Sequence, residues 1–240
     1  MIEWLTRSDE PPHIELDGRA LPVELRRHPA AKRLTLRLAP DGKAVRITMP
    51  EWCTSHDALA FARARREWLE TQLAKVPPPR DPVGEGRVEY RGRTLHIAWD
   101  EDAPRTARIE GERLRIGGPK DTLAPRLQRW LERAALPLFE QDAAFYCARA
   151  CLPLAPVRVS RARRRWGSCS SKGVLRLNWR LVQAPDPVRR SVVAHEVAHL
   201  VHFDHSPAFH ALLAQLYEDD MAAADRWLSD SGRTLYASFG

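Results

Sequence analysis

Alternating apolar and polar residues predict β-hairpins in the first half of the chain. Residues 33–38 (RLTLRL) alternate with a period of two, and after a turn around Pro40 the alternation continues through residues 44–48. Residues 94–99 (TLHIAW) repeat the pattern, and residues 108–116 predict a further hairpin. A period of two is typical of half-buried β-strands, so we expect these segments to form strands.

Helical periodicity separates and follows these strands. Ser55 is placed to cap a first helix, which a run of three prolines ends. A second helical pattern runs over residues 123–151, where Pro137 is expected to kink or split the helix. Asp186 and Ser206, each followed by proline, predict the starts of two more helices, because these residue types cap helices and proline suits the first helical position.

Short strands are also predicted in the second half, at residues 157–160 and 174–179, on either side of a basic turn region. Together these elements predict an α+β fold class in three regions. These regions are an N-terminal β-hairpin and helix region, a second β-hairpin region and a C-terminal domain of helices with a short sheet, over residues 1–79, 80–120 and 121–240.

Composition restricts the class of protein. With 240 residues, 44% hydrophobic and 29% charged, the chain has the composition of a globular protein, and no apolar run approaches the ~18 residues of a membrane span. Residues 1–7 lack the apolar core of a signal peptide, and four cysteines are too few for a disulfide-stapled secreted domain. We therefore expect a cytoplasmic protein with reduced thiols and no membrane partner.

Positive charge is concentrated in one segment. The net charge is +7, yet residues 158–180 alone contain eight Arg or Lys and no acidic residue. The positive charge of this segment therefore exceeds the net charge of the whole chain. This favours a local anion-facing surface over positive charge spread evenly on the protein surface.

The chemistry is carried by the sequence HEVAH over residues 195–199. On a helix, four residues turn through about 400° and rise about 6 Å, so His195 and His199 project from one side and can reach one metal ion. Glu196 points about 100° away, too far for a natural ligand but close enough to act as general base toward a metal-bound water. Neutral imidazoles favour zinc, although another divalent metal stays open.

Three residues compete for the place of third metal ligand. His202 lies seven residues beyond His195 on nearly the same face, but about 10.5 Å along the axis, which strains a tetrahedral site. Glu218 suits proteases that take a carboxylate from a later helix. His205 comes after the helix should end and directly before the next cap, so the chain can return its ring to the ion. We favour His205, and a three-ligand catalytic site over a structural module with four ligands.

Three motifs resemble the YgjP-like metallopeptidase family, of which the SprT and Spartan proteases are more distant relatives. They are RWGSCS, LRLNWR and HEVAHLVHFDHSPAF, at residues 165–170, 175–180 and 195–209. The resemblance implies a zincin-like metal-dependent hydrolase domain with an HExxH helix and a short sheet. It also implies that His195, His199 and His205 bind zinc and that Glu196 is catalytic. The family includes a member described as a nucleoside triphosphate pyrophosphatase acting on UTP.

The expected function is therefore that of a zinc metallopeptidase, with UTP pyrophosphohydrolysis at the same metal site as the alternative. In a zincin the strand before the metal helix commonly pairs with an extended substrate, which points to residues 173–179. The substrate is a protein, a peptide or a nucleotide, and the basic segment at residues 158–180 suits non-specific nucleic-acid contact. The candidate substrate-binding residues are Arg163, Arg164, Arg165, Trp166 and Asn178.

Overall fold

The computed structural model describes residues 12–39 and 41–239. The chain divides into two compact units, with the boundary along the sequence between Pro78 and Pro79. Pro40 of the expected turn and residues 1–7 lie outside the described residues. The predicted α+β class is confirmed, with three small sheets and six α-helices in the described part of the chain. The division into regions 1–79, 80–120 and 121–240 stays a prediction.

The first unit is a four-stranded sheet with two helices. The hairpin predicted from the alternating pattern is confirmed, since its two strands pair antiparallel. The N-terminal hairpin that precedes it was not predicted, although its residues 13–16 and 21–25 also alternate, on either side of the Asp17-Gly18 turn. The sheet order is β1-β2-β4-β3. The elements are β1 (His13–Leu16), β2 (Arg19–Arg27), β3 (Thr35–Leu38), β4 (Val45–Met49), α1 (Ser55–Arg63) and α2 (Arg66–Ala74).

The expectation that Ser55 caps the first helix is wrong by one residue. Thr54 is the cap, because its hydroxyl accepts from the Asp57 N–H at 3.1 Å while the Asp57 carboxylate accepts from the Thr54 N–H at 3.2 Å. Two hydrogen bonds favour this start over a single one from Ser55. The helix is also interrupted between Arg63 and Arg66, so two short helices stand where one was expected.

The second unit begins with another four-stranded sheet, in the order β5-β6-β8-β7, followed by a long helix. The predicted hairpin at its end is confirmed. Pro137 does not split the helix, which continues as one element of 27 residues. Buried apolar residues on each successive turn hold this helix against the core across the proline. The elements are β5 (Arg87–Tyr90), β6 (Arg93–Asp100), β7 (Arg108–Glu110), β8 (Arg113–Gly117) and α3 (Leu123–Arg149).

A third, three-stranded sheet precedes the HEVAH segment at residues 195–199. It consists of β9 (Val157–Ser160), β10 (Gly167–Cys169) and β11 (Leu175–Asn178), in the order β10-β11-β9. The expectation that residues 173–179 offer a free edge is wrong, because β11 pairs with β10 on one side and β9 on the other. An edge strand is instead β10, which lies in the segment expected to be a turn.

Three helices complete the second unit: α4 (Asp186–Ala198), α5 (Pro207–Leu216) and α6 (Met221–Asp230). The predicted Ser206 cap is confirmed, while α4 begins with Pro185 at the cap position and Asp186 as its first residue. The Asp186 carboxylate accepts hydrogen bonds from Arg91 and Arg189 and is therefore used in tertiary contacts.

One apolar core joins the second and third sheets to α3, α4 and α5. Within it the Arg189 guanidinium donates to the Asp142 carboxylate at 2.7 Å, and both side chains are 3% exposed. Each charge thus has its partner in the interior, which avoids the penalty of an unpaired buried ion. Among the helices of the described residues, none has both the length and the apolar composition to cross a bilayer.

Candidate metal centre

Three histidine rings converge where α4 ends. His195 lies in the last turn of this helix, and the His199 N–H closes that turn on the His195 carbonyl at 3.2 Å. The chain then returns, so that His205 comes directly before the Ser206 cap of α5. The Nε2 atom of His195 lies 3.1 Å from that of His199 and 3.3 Å from that of His205. The structure thus brings together the three residues that the sequence favoured.

These distances fit a bound metal ion. A tetrahedral site with metal–nitrogen bonds of about 2.0–2.1 Å holds its nitrogens about 3.3 Å apart. One ligand atom from each of His195, His199 and His205 lies within 4.8 Å of the others. Burial, followed by the charges of His199 and His205, lowers the pKa of His195 to about 4, so this ring is neutral at pH 7. Neutral imidazole is the form that coordinates metals.

A backbone contact orients the His199 ring. The Nδ1 atom of His199 lies 2.9 Å from the His202 carbonyl, to which it can donate and so leave Nε2 for a metal. That carbonyl belongs to the chain segment between the helix and His205. The backbone of His202 therefore has a positioning contact, while its ring lies outside the group of converging nitrogens.

Phe209 supports the whole cluster and was missed from the sequence. Its ring centroid lies 4.9, 4.6 and 4.9 Å from the rings of His195, His199 and His205. The side chain is fully buried, and its N–H donates to the Ser206 hydroxyl at 3.4 Å. The cap that starts α5 thus also places an aromatic ring against all three imidazoles. Its sequence signals are its position two residues after Pro207 and its place at the end of the HEVAHLVHFDHSPAF motif, to which no role for Phe209 was attached.

Glu218, the carboxylate alternative for the third ligand, is engaged elsewhere. It accepts a hydrogen bond from the Tyr146 hydroxyl at 2.9 Å and pairs with Arg190. Its carboxylate is not among the side chains that converge with His195.

Glu196 presents a buried carboxylate beside the cluster. The side chain is on the next residue after His195, and the residue is only 5% exposed. Burial raises the pKa of Glu196 to about 7, whereas the charge of Arg165 and a hydrogen bond from the Cys169 N–H act in the opposite direction. Among the residues that the structure describes, none provides a hydrogen-bond partner for its Oε2 atom. A buried oxygen with no protein partner is suited to bind water or substrate.

Strand β10 passes directly over this carboxylate. A Cβ atom on Gly167 would lie 2.4 Å from the Glu196 Oε1 atom, which is closer than any contact distance. Only glycine therefore allows β10 and the carboxylate to lie so close.

We expect Gly167→Ala to displace the Glu196 carboxylate and reduce hydrolytic turnover by up to about 100-fold, the scale of a 1 Å misplacement. Zinc content should not change, because the three histidines are untouched. The measurement is kcat together with metal per chain. Ser168→Ala on the same strand is the matched control, and equal activity of the Gly167→Ala and Ser168→Ala proteins would show that close packing of β10 on Glu196 is unimportant.

The five predicted substrate-binding residues differ in exposure and in their position relative to Glu196. Arg163, Arg164 and Arg165 are exposed on the loop before β10, and the charge of Arg165 reaches Glu196. Trp166 is half-buried, with its ring centroid 5.4 Å from that of Tyr236. Arg165 and Trp166 are therefore near the site.

Asn178 is fully buried and does not face solvent. Its Nδ2 donates to the carbonyls of Ala162 at 2.7 Å and Arg165 at 3.3 Å, and its Oδ1 accepts from the Arg180 N–H at 3.1 Å. The structure thus gives Asn178 a place in holding the arginine loop, and its predicted substrate contact stays a prediction.

The prediction that the eight basic residues of segment 158–180 form an anion-facing surface is wrong for one of them, Arg180. Arg180 is only 5% exposed and lies between the rings of Trp179 and Tyr236, 4.6 Å from each centroid. It also donates to the Phe239 carbonyl at 2.6 Å. Tyr236 and Phe239 are distant in sequence from Arg180, so the burial of this charge has no complete local signal.

A pocket of 240 Å³ opens beside Glu196. Its walls are mainly apolar but include two carboxylates, those of Glu196 and Asp225, and come from β10 and the residue before it, α4 and α6. The lining residues are Trp166, Gly167, Ser191, Val192, His195, Glu196, Met221, Asp225 and Leu228.

Comparison with known proteins places the chain in a family. A sequence search of curated proteins finds no match. The crystal structure of the metallopeptidase zymogen of Pyrococcus abyssi abylysin is similar to part of the chain, with 17% identity and a TM-score of 0.34 over 41% of this chain and 96% of that one. The family model for the YgjP-like metallopeptidase domain matches residues 32–231. Since this match spans most of the sequence, the protein belongs to the YgjP-like metallopeptidase family and is a metal-dependent hydrolase by family.

Proposed function

We propose that the protein is a zinc peptidase in which His195, His199 and His205 hold the metal and Glu196 is the general base. The observation that carries this proposal is the buried, unpartnered Oε2 atom of Glu196 beside three imidazole nitrogens spaced 3.1 and 3.3 Å from one another. An all-imidazole donor set with no thiolate suits a catalytic zinc site, which keeps a coordination position open.

Zinc, when bound, supplies Lewis acidity toward water and the scissile carbonyl. The protein supplies the proton acceptor: Glu196 takes a proton from water at Oε2, the oxygen left without a protein partner. The Cys169 N–H holds the carboxylate in place, and Gly167 allows the close approach of β10.

The edge strand β10 is the proposed backbone partner of the substrate. It pairs with β11 on one side only, and it contacts the general base through Gly167 and Cys169. An extended peptide that adds to the other side of β10 would pass Glu196 with its backbone hydrogen-bonded. This role replaces the one expected for residues 173–179.

The pocket beside Glu196 supports a peptide over a triphosphate. Among the described residues, its lining contains Trp166, Met221 and Leu228 but no arginine or lysine. A triphosphate carries several negative charges, and enzyme sites normally add Arg or Lys side chains to the metal ion to balance them. This pocket has two carboxylates instead, so it suits a triphosphate poorly. A large apolar side chain fits it better.

The cytoplasm is the proposed location. All four cysteines are free thiols in the structure, including Cys151, which is exposed. Free thiols are typical of proteins in a reducing compartment.

The proposal is tested with zinc-loaded full-length protein, a library of short peptides and UTP. We expect cleavage of peptides with a large apolar residue next to the scissile bond, and no turnover of UTP. Met221→Trp should fill the pocket and reduce cleavage of these peptides by about 10-fold, the scale of a steric mismatch in an apolar pocket. Met221→Leu, which nearly conserves volume, should retain activity. Hydrolysis of UTP without cleavage of any peptide would overturn the proposal.

A further inference from the structure

A second cleft, apart from the histidine cluster, is lined by four arginines. Its volume is 440 Å³, and none of its lining residues belongs to the metal centre. The arginines come from the segment after β6 and from one face of α3. The lining residues are Arg105, Thr106, Ala107, Ile116, Arg126, Arg129, Trp130, Arg133 and Ala134.

These four charges are not neutralised within the described part of the chain. No carboxylate lines the cleft, and no carboxylate of residues 12–39 or 41–239 forms an ion pair with any of the four. Many other arginines do form such pairs, as in Arg80 with Glu85 at 2.7 Å and Arg161 with Glu132 at 2.6 Å. A concave surface lined by one sign of charge attracts ions of the opposite sign.

Part of the cleft is preorganised. The Arg126 guanidinium donates to the carbonyls of Gly117, Thr122 at 3.2 Å and Pro119 at 2.6 Å, so its charge is fixed at the wall. Arg129 and Arg133 follow on α3 with a spacing of four residues, which sets them about 6 Å apart along one helix face. Both are exposed. The Arg133 Nε also donates to the Arg129 carbonyl at 3.3 Å. The wall therefore presents Arg126 held by three carbonyls, Arg133 held by one, and the exposed guanidinium of Arg129.

The cleft continues at both ends. Thr106 also lines a neighbouring cleft of 270 Å³ with Arg108 and Arg115. Arg129 and Arg133 also line a groove of 690 Å³ on the other side, together with Arg161. The shared residues join the three clefts into one arginine track, which holds seven arginines and two carboxylates, Glu110 and Glu132. Glu132 is already paired with Arg161.

We propose that the arginine track binds single-stranded nucleic acid. Guanidinium forks match phosphate oxygens in pairs, and the track is longer than one phosphate group needs. Trp130 and the apolar side chains of Leu136 and Val159, all partly exposed, offer surfaces on which bases can pack between the charges. A flexible single strand can follow recessed clefts of this size. The binding function goes beyond peptide hydrolysis and does not depend on it.

The test is the affinity of full-length protein for a fluorescein-labelled 20-nucleotide oligothymidylate, measured by anisotropy at several salt concentrations. The double variant Arg129→Gln/Arg133→Gln should bind at least about 10-fold more weakly, with the salt slope reduced by about 1.4, or roughly 0.7 per lost phosphate contact. Arg93→Gln/Arg226→Gln removes the same charge from exposed positions outside the track and should change affinity less than about 2-fold. Unchanged thermal melting will show that the variants are folded.

Several results would overturn the proposal. The first is no binding of the oligonucleotide by the unaltered protein, and the second is equal weakening in both double variants. The third is a larger loss of affinity in Arg158→Gln/Arg176→Gln, which alters two paired arginines on the neighbouring strands β9 and β11. Binding of inorganic triphosphate or polyglutamate as tight as that of the oligonucleotide would assign the track to a small phosphate ligand or an acidic peptide.

Discussion

Replacing Glu196 with glutamine is expected to reduce peptide turnover by about 10²–10⁴-fold while zinc stays bound. Glutamine keeps the size of the side chain and removes its ability to accept a proton. The substitution does not alter the three histidines, so the metal content should remain at about one ion per chain. The measurement is kcat on the best peptide of the library, with metal content determined on the same preparation.

A matched control for this variant is Glu140→Gln, an exposed carboxylate on α3 in the same unit of the chain. It makes the same chemical change away from the metal centre and should retain full activity. Near-normal turnover by Glu196→Gln protein would show that another group accepts the proton, whatever the substrate.

Replacing His205 with alanine is expected to weaken zinc binding by more than about 100-fold. Removal of a group that only supports a ligand typically lowers metal affinity by about 10–100-fold, and loss of a ligand should exceed that range. His205 is exposed, so the substitution leaves the core intact. Competition with a chromophoric chelator measures the affinity.

His202→Ala and His210→Ala are the controls for this variant. Both remove an imidazole near His205, but neither ring belongs to the converging group. His202→Ala keeps the backbone carbonyl that contacts His199. Strong zinc loss in His202→Ala or Glu218→Ala, with full affinity in His205→Ala, would assign the third ligand position to one of the alternatives.

Helical geometry and capping signals predict most of the metal centre. The spacing of His195 and His199 places both rings on one side of α4, and the Ser206 cap forces the chain to turn back at His205. These are local features, readable over a few residues. Phe209 was missed because its contact with all three rings depends on how α5 packs, which no local pattern encodes.

Tertiary contacts explain the errors. Strand β10 is only three residues long and glycine-containing, so its sequence is typical of a turn, and its strand geometry comes from pairing with β11. Asn178 and Arg180 are polar residue types, but Tyr236 and Phe239, distant in sequence, cover them. The arginine track shares only Arg161 with residues 158–180, and its other arginines come from distant segments, so charge counted along the chain does not reveal it.

The most direct measurement is X-ray absorption at the zinc edge of the full-length protein loaded with one equivalent of zinc. We predict three imidazole nitrogens and light-atom scatterers at about 2.0–2.1 Å, with one imidazole fewer in His205→Ala protein. Sulfur scattering at about 2.3 Å, or a spectrum unchanged by His205→Ala, would contradict a metal centre formed by His195, His199 and His205.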